Sequence, residues 1–294
     1  MKLSITDFIS LTKPTVLVLV LITGATALVV YGGIDWVDFI LVIAGLYGVG
    51  ACANTLNQYF ERDIDAKMAR TKLKRPLASG KMKPQYALYF AFLMATIGIG
   101  IFSVYFNLLS AMLGLGTIVF YSFFYTLYLK PRTPQNIVIG GAAGAMGPMI
   151  AWAAVAGDLA SVVPWVLFFL IFFWTPPHFW ALALYLKDDY KAVNYPMMPN
   201  IKGDDATYKL IVRYTFVMVV VSYGLILYQP VGGVSTNPLN LFYLIGTTVL
   251  GGIFIQKALQ MLREKSIKFQ KSMFAYSIIY IFLMCFMIMI DAVN

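Results

Sequence analysis

The chain has 294 residues, of which 60% are apolar and only 12% are charged. Its mean hydropathy is +0.78, whereas soluble domains carry about 25% charged residues. These values exclude an ordinary soluble domain and indicate a protein that crosses a membrane several times. The net charge of +9 must therefore lie mainly in the loops between membrane spans.

Uncharged stretches long enough to cross a bilayer recur along the chain. Two are too long for one span: as a single helix, 84–129 would be about 69 Å long, against a hydrocarbon core of about 30 Å. We predict a turn near 106–107 and another within 229–238. The prediction is an all-α membrane protein with nine transmembrane helices, folded as a single domain over 1–294. The uncharged stretches are 14–34, 39–60, 84–129, 133–157, 159–186, 214–256 and 272–290.

The distribution of basic residues predicts the orientation. With the N-terminus placed in the cytoplasm and the spans alternating, all 22 Lys and Arg residues fall on the inner side. Basic residues accumulate on the cytoplasmic side of membrane proteins. We therefore predict a cytoplasmic N-terminus, an outer C-terminus and a bacterial plasma membrane location. Nucleic-acid binding is not favoured, because the basic loops interrupt membrane spans.

Polar residues at the inner end of the second predicted span indicate a binding site. Asn57, Glu61 and Asp65, here called the polar ladder, are four residues apart and so share one helix face. Such oxygen ligands hold Mg²⁺ together with substrate phosphates, and nearby cations could neutralise a diphosphate. Alternatively, the acids only neutralise the basic loop. The cations are Arg70, Lys72, Lys74 and Arg75.

A second polar cluster follows the sixth predicted span. His178, the one histidine of the chain, is predicted to lie one turn into a helix restarted by 176–177. Tyr185 and Asp189 follow at spacings that place them on roughly the same helix face. Alternatively, the histidine is simply hydrogen-bonded within the bundle. The residues of this cluster are His178, Tyr185, Lys187, Asp188 and Asp189.

The motifs in these two clusters resemble those of the UbiA-type intramembrane prenyltransferases, in particular the branch that farnesylates haem. The ladder alone is moderately specific, because quinone and chlorophyll prenyltransferases share it. Its combination with the Arg-Pro-Leu and Pro-Pro-His-Phe-Trp motifs is a strong match, and the resemblance runs from about Lys13 to Arg213. The matching motifs are Asp63-Ile-Asp65, Arg70-Thr71, Arg75-Pro76-Leu77, Arg132 to Ile137, Gly140-Gly141, Thr175 to Leu182, Lys187 to Tyr190 and Pro196 to Pro199.

The resemblance implies an enzyme with farnesyl diphosphate and haem B as substrates, and haem O and diphosphate as products. It implies that the ladder, with Asp189 from a facing helix, is catalytic and holds Mg²⁺. Haem A synthase or terminal oxidase assembly is the implied downstream partner. Tyr121, Phe124 and Tyr125 are candidates to face an allylic cation. The expected substrate-binding residues are Arg70, Lys72, Arg75, Tyr121, Tyr125, His178, Tyr185, Lys187 and Asp188.

The sequence departs from the family pattern at two positions. Glu61 stands where the family often has an aspartate and reaches one methylene farther, and Val193 stands where a second aspartate, the partner of Asp189, is common.

Two alternative functions remain open. One is a prenyltransferase of a quinone precursor; the other is a membrane transporter, since polar residues inside membranes also serve transport.

Overall fold

The computed structural model describes residues 4–227 and 241–293, which contain helices and no β-strand. Nine helices in these ranges are long and apolar enough to cross a membrane, which confirms the predicted all-α, nine-span architecture. A short helix, α1 (Ile5–Thr12), precedes them. The spans are α2 (Pro14–Tyr31), α3 (Trp36–Asp65), α4 (Pro84–Phe106), α5 (Leu108–Leu129), α6 (Asn136–Ala156), α7 (Val162–Tyr185), α8 (Asp204–Ile226), α9 (Leu241–Glu264) and α10 (Ile267–Val293).

The turn predicted near 106–107 is confirmed. Asn107 separates α4 from α5, and its side-chain oxygen accepts a hydrogen bond from the Ser110 N–H at 2.9 Å, as expected of an N-cap. Its Nδ2 donates to the carbonyl oxygens of Ala153 at 2.7 Å and Ala154 at 3.0 Å. The turn is therefore fixed to the end of α6. The turn predicted within 229–238 lies outside the described residues.

Helix α1 was not predicted, because eight residues are too few for a span. Ser4 and Asp7 form a reciprocal capping box at its start, which satisfies two otherwise unpaired backbone N–H groups. Its apolar side packs Phe8 and Leu11 against Leu77. Helix α1 therefore braces the 66–83 loop that connects α3 to α4.

The bundle closes on itself through its first and last spans. Helix α2 contacts α3, the second half of α6 and also α10. Helices α6 and α7 are mostly buried, whereas less than a quarter of α4 is buried. Long apolar side chains on the outer spans are exposed, as a lipid environment permits. The interior is therefore built around α6 and α7.

The predicted helix restart at 176–177 is wrong. Helix α7 runs without a break from Val162 to Tyr185 with both prolines inside it. Proline removes a backbone donor and usually interrupts a helix, but in membrane helices packing against neighbouring helices tolerates such positions. Both prolines are buried here against neighbouring helices. His178 therefore lies inside a long interior helix, two turns before its end.

Three short helices lie in the two loops at the end of the bundle where α3 and α7 end, here called the ladder end. Ala69–Lys72 lies in the loop between α3 and α4. Lys187–Lys191 and Met198–Lys202 lie in the loop between α7 and α8. These two loops cover the polar ladder.

Helices α3 and α4 cross at two glycines, which gives a testable prediction. A Cβ added at Gly48 would lie 2.8 Å from the Gly98 Cα and 2.8 Å from the Met94 carbonyl oxygen. Because backbone atoms cannot rotate away, Gly48→Ala should force the helices apart and cost about 1–3 kcal/mol. A Cβ at Gly100 meets nothing within 4 Å, so Gly100→Ala is the matched control. Thermal unfolding in detergent should show a lower Tm for Gly48→Ala only; equal Tm values would contradict the close crossing.

Candidate active site

The polar ladder lies on one buried face at the end of α3. Asn57, Glu61 and Asp65 are 1%, 2% and 3% exposed. Spacing by four residues stacks their side chains on the same side of the helix. Buried carboxylates are costly unless they are paired with cations or hold a metal. The structure therefore requires partners for these acids, and it provides them from several elements.

Both carboxylates of the ladder are paired with cations from other segments. Glu61 is bonded by Lys130, which follows α5, and lies 3.5 Å from the Arg75 guanidinium. Asp65 is bonded by the same Arg75. The Tyr195 hydroxyl donates to Glu61 at 3.3 Å. Glu61 is therefore contacted by side chains from three different loops.

Asn57 links a third cation to the same cluster. Its Oδ1 accepts a hydrogen bond from Lys13 Nζ at 2.6 Å, and its Nδ2 donates to Thr126 Oγ1 at 3.0 Å. Lys13 joins α1 to α2 and has a left-handed backbone, with φ 51° and ψ 67°. Residues other than glycine adopt this backbone conformation at a cost in free energy, and such residues concentrate at functional sites. The sharp joint directs the Lys13 ammonium to the ladder.

Arg75 and Lys13 differ in their electrostatic environment. Burial opposes the charge of Arg75, but the Asp65 and Glu61 carboxylates outweigh it and raise the pKa of the guanidinium. The pKa of Lys13 is held well below its ordinary value, first by burial and then by repulsion from Arg75. Among the described residues Glu61 and Asp65 pair with Lys130 and Arg75, whereas Lys13 donates to the Asn57 amide oxygen and has no carboxylate partner. An added anion would satisfy Lys13.

The ladder has the oxygen donors that Mg²⁺ prefers, namely two carboxylates and an amide. Among the described residues no group of three His, Cys, Asp or Glu side chains forms a preassembled metal site. Glu61 and Asp65 are instead bonded to Lys130 and Arg75. The donor set therefore fits a metal that replaces these cations on the carboxylates.

The second predicted cluster is dispersed in the structure. Helix α7 ends at Tyr185, so His178 and Asp189 do not share a continuous helix face, contrary to the prediction. Asp189 is half-buried on the separate helix Lys187–Lys191. In the described part of the chain it makes no hydrogen bond or ion pair to the ladder.

The remaining polar residues of this cluster also have other partners. Lys187 donates to Asp204 at 2.8 Å, which raises the pKa of the lysine. Asp188 is exposed. Tyr185 lies under the Lys271 ammonium of α10, 5.9 Å from the ring centre.

Of the predicted cations on the first loop, Arg75 reaches the ladder, whereas three are exposed: Arg70, Lys72 and Lys74.

Two of the predicted aromatic residues of α5 pack on each other near α6. Tyr121 and Tyr125 stack with ring centres 5.2 Å apart. A Cβ at Gly140 would collide with the Tyr125 ring, so the glycine lets α6 approach α5 closely. Phe124 is 43% exposed. Its ring contacts Phe120 and Tyr128 of the same helix, and its place beside the allylic cation stays a prediction.

Sequence reasoning did not identify Lys13, Lys130 and Tyr195 as site residues. The two lysines were counted only as basic residues flanking the spans. Each directly borders an apolar span and lies next to a proline, Pro14 or Pro131, a signal that could have marked them. Tyr195 had no comparable signal, because its position depends on the path of the 186–203 loop.

The family match places this nine-span bundle among the intramembrane prenyltransferases, a class of multi-pass membrane enzymes. The UbiA prenyltransferase family matches residues 17–286, and the chain belongs to this family. Its curated relatives include the protoheme IX farnesyltransferase of a Picosynechococcus species, 44% identical over 98% of this chain and 89% of the relative. The protoheme IX farnesyltransferase of Gloeothece citriformis is 42% identical over 98% of this chain and 87% of the relative.

Solved structures share the fold at low sequence identity. A structure of digeranylgeranylglyceryl phosphate synthase superposes with a TM-score of 0.78 at 18% identity, over 98% of both chains. A UbiA homolog from Archaeoglobus fulgidus bound to GPP and Mg²⁺ has a TM-score of 0.63 at 14% identity, over 96% of this chain and 99% of that chain. These structures establish the fold, and the resemblance stated from the sequence motifs is confirmed by the family match.

Proposed function

We propose that the protein transfers the farnesyl group of farnesyl diphosphate to a vinyl group of haem B, with addition of water, to give haem O. The observation that carries the proposal is the buried ladder paired with cations from three segments. The acceptor is inferred from the curated relatives, whose name specifies protoheme IX. Diphosphate would provide the anionic partner that Lys13 lacks and would favour its charged form.

In this proposal the ladder and the cations exchange partners when substrate binds. Asn57, Glu61 and Asp65 would hold Mg²⁺, with Asp189 completing the site from its loop. The metal would supply Lewis-acid stabilisation of the leaving diphosphate. Arg75 and Lys130, released from the carboxylates, would turn to the diphosphate oxygens. The exposed cations Arg70 and Lys72 would draw the diphosphate into the site, and Lys187 and Asp188 would border its entrance.

The chemical step breaks the carbon–oxygen bond to diphosphate, which leaves with the electron pair. The two stacked rings of Tyr121 and Tyr125 would face the resulting allylic cation, and each such contact is worth about 2 kcal/mol when desolvated. The haem vinyl group attacks the cation and forms the new carbon–carbon bond. Water then adds to the second cation and loses a proton, which gives the hydroxyethylfarnesyl group.

His178 is proposed to orient the porphyrin by binding its iron through the neutral ring, with Tyr185 nearer the entrance. Replacing His178 by Ala should therefore weaken haem binding while farnesyl diphosphate binding stays unchanged. Haem titration followed by absorbance, beside isothermal titration with farnesyl diphosphate, measures both. Unchanged haem affinity would remove His178 from the haem site.

We also propose that the ladder end faces the cytoplasm of a bacterial cell, with the N-terminus inside and the C-terminus outside. This follows from the placement of all 22 basic residues on one side of the membrane. Haem O would then pass to haem A synthase or to terminal oxidase assembly. Labelling of single cysteines introduced at Ser79 and Asp158, before and after opening the membrane, tests the orientation.

The activity is tested in membranes with haem B, farnesyl diphosphate and Mg²⁺, followed by mass spectrometry. A mass gain equal to farnesyl plus hydroxyl supports the proposal. Prenylation of a hydroxybenzoate or naphthoate in place of haem would indicate the alternative, a prenyltransferase of quinone precursors. Inactivity with every acceptor would favour the transporter interpretation.

A further inference from the structure

His178 is held between two aromatic rings inside the bundle. Its ring stacks on Trp174 of the same helix, with ring centres 4.3 Å apart, and on Phe274 of α10 at 4.5 Å. Both faces of the imidazole are therefore covered. The edge of the ring carries the two nitrogens, and Phe179 packs at right angles to the imidazole with ring centres 4.9 Å apart, so only the rest of the edge is open to hydrogen bonds or a ligand.

Ser277 of α10 contacts one of these nitrogens. The distance from His178 Nδ1 to Ser277 Oγ is 2.6 Å, and Ser277 Oγ lies 2.6 Å from the Phe274 carbonyl oxygen. A carbonyl oxygen can only accept, so the single hydroxyl hydrogen of Ser277 is donated to Phe274. The Ser277 oxygen must then accept from His178, which places the imidazole hydrogen on Nδ1.

The position of Ser277 does not depend on its side chain alone. The Trp174 Nε1 donates to the Ser277 carbonyl oxygen at 2.7 Å, so a side chain of α7 is joined to the backbone of α10 at this level. Ser277 is fully buried, so its hydroxyl makes these bonds away from solvent. Removing the hydroxyl would therefore leave the bond from Trp174 to the Ser277 carbonyl in place while freeing His178 Nδ1.

We propose that Ser277 is a positioning residue that holds His178 in the Nδ1–H tautomer, so that Nε2 offers its lone pair to the iron of a haem. This inference rests on the proposed function. Histidines that bind metals commonly donate the other ring N–H to such a partner, which fixes the tautomer and the ring orientation. Within residues 4–227 and 241–293, His178 Nε2 has no hydrogen-bond partner, in keeping with an atom reserved for a ligand.

The single histidine permits a direct test of the tautomer. Protein labelled with ¹⁵N-histidine gives ring signals from His178 alone, and these signals distinguish a protonated Nδ1 from a protonated Nε2. The haem-free wild type should show protonated Nδ1 and unprotonated Nε2. In Ser277→Ala the ring should shift toward protonated Nε2, whereas Ser277→Thr, which keeps the hydroxyl, should preserve the wild-type pattern.

Haem titration followed in the Soret band provides the second measurement. Ser277→Ala should bind haem about tenfold more weakly, with loss of the histidine-ligated spectrum, and Ser277→Thr should restore both. Ser272→Ala is the matched control, because Ser272 lies on the same helix and is bonded by Lys257 at 3.0 Å. It should change neither measurement.

Protonated Nε2 in the haem-free wild type would overturn the proposal without any variant. An unchanged haem spectrum and affinity in Ser277→Ala would overturn it too, as would a wild type that binds haem without histidine ligation. Failure of the proposed function is seen separately, as the absence of a farnesylated haem product from the wild type.

Discussion

Asp65→Asn should lower farnesyl transfer by about 10²- to 10³-fold, the usual effect of removing one group that stabilises charge in a transition state. The amide has the shape of the carboxylate but lacks the charge that pairs with Arg75 and would hold Mg²⁺. The turnover of haem B, measured by mass spectrometry at saturating substrates, gives the effect. The variant should also need more Mg²⁺ for its residual activity.

The control for this variant is two residues away. Asp63 has the same side chain, but it is 83% exposed, and its ion pair within the described ranges is with Arg62 at 3.7 Å. Exposed pairs of this kind contribute little, so Asp63→Asn should retain wild-type turnover. A similar loss in both variants, or none in Asp65→Asn, would contradict the assignment of the ladder as the catalytic centre.

Lys13→Gln should separate stability from function. The substitution removes an amine whose pKa is lowered by burial and by repulsion from Arg75. The glutamine amide can still donate to Asn57. The substrate-free variant should therefore have an equal or higher Tm than the wild type. Its affinity for diphosphate should fall by about 10- to 100-fold, because a charged hydrogen bond of about 1.5–3 kcal/mol is lost.

The pH dependence of this Tm difference has a definite sign. A lysine with a depressed pKa binds its proton more readily when the protein is unfolded, so wild-type stability rises with pH until the ordinary lysine pKa is passed. The advantage of Lys13→Gln should therefore shrink as the pH rises. Thermal unfolding across a pH series, beside calorimetry with inorganic diphosphate, tests both parts. A lower Tm with unchanged diphosphate affinity would contradict them.

The architecture was predictable because membrane spans depend mainly on local properties. Length, hydropathy and the distribution of charge are read directly from consecutive residues, and the nine spans follow from them. Helix α1 and the unbroken α7 were not predicted. In α1 the decisive contacts are with the 66–83 loop, and in α7 the packing around 176–177 outweighs the local preference of proline.

The site was predictable only where its residues are neighbours in the sequence. The ladder residues are four apart, so helix geometry alone brings them together. Lys13 and Lys130 are 44 and 69 residues from their ladder partners, and Tyr195 is 134 residues from Glu61. Such contacts depend on the tertiary fold, and so does the bond between His178 and Ser277.

The closure of the bundle by α10 has a consequence for biosynthesis. Helix α10 is synthesised after α2 and α7, yet it packs against both of them. Until α10 is inserted, those faces of α2 and α7 have no protein neighbour, and His178 has neither Phe274 nor Ser277 beside it. A chain cut short before residue 267 would therefore retain the ladder but display an open seam to lipid, which quality-control proteases of the membrane could recognise.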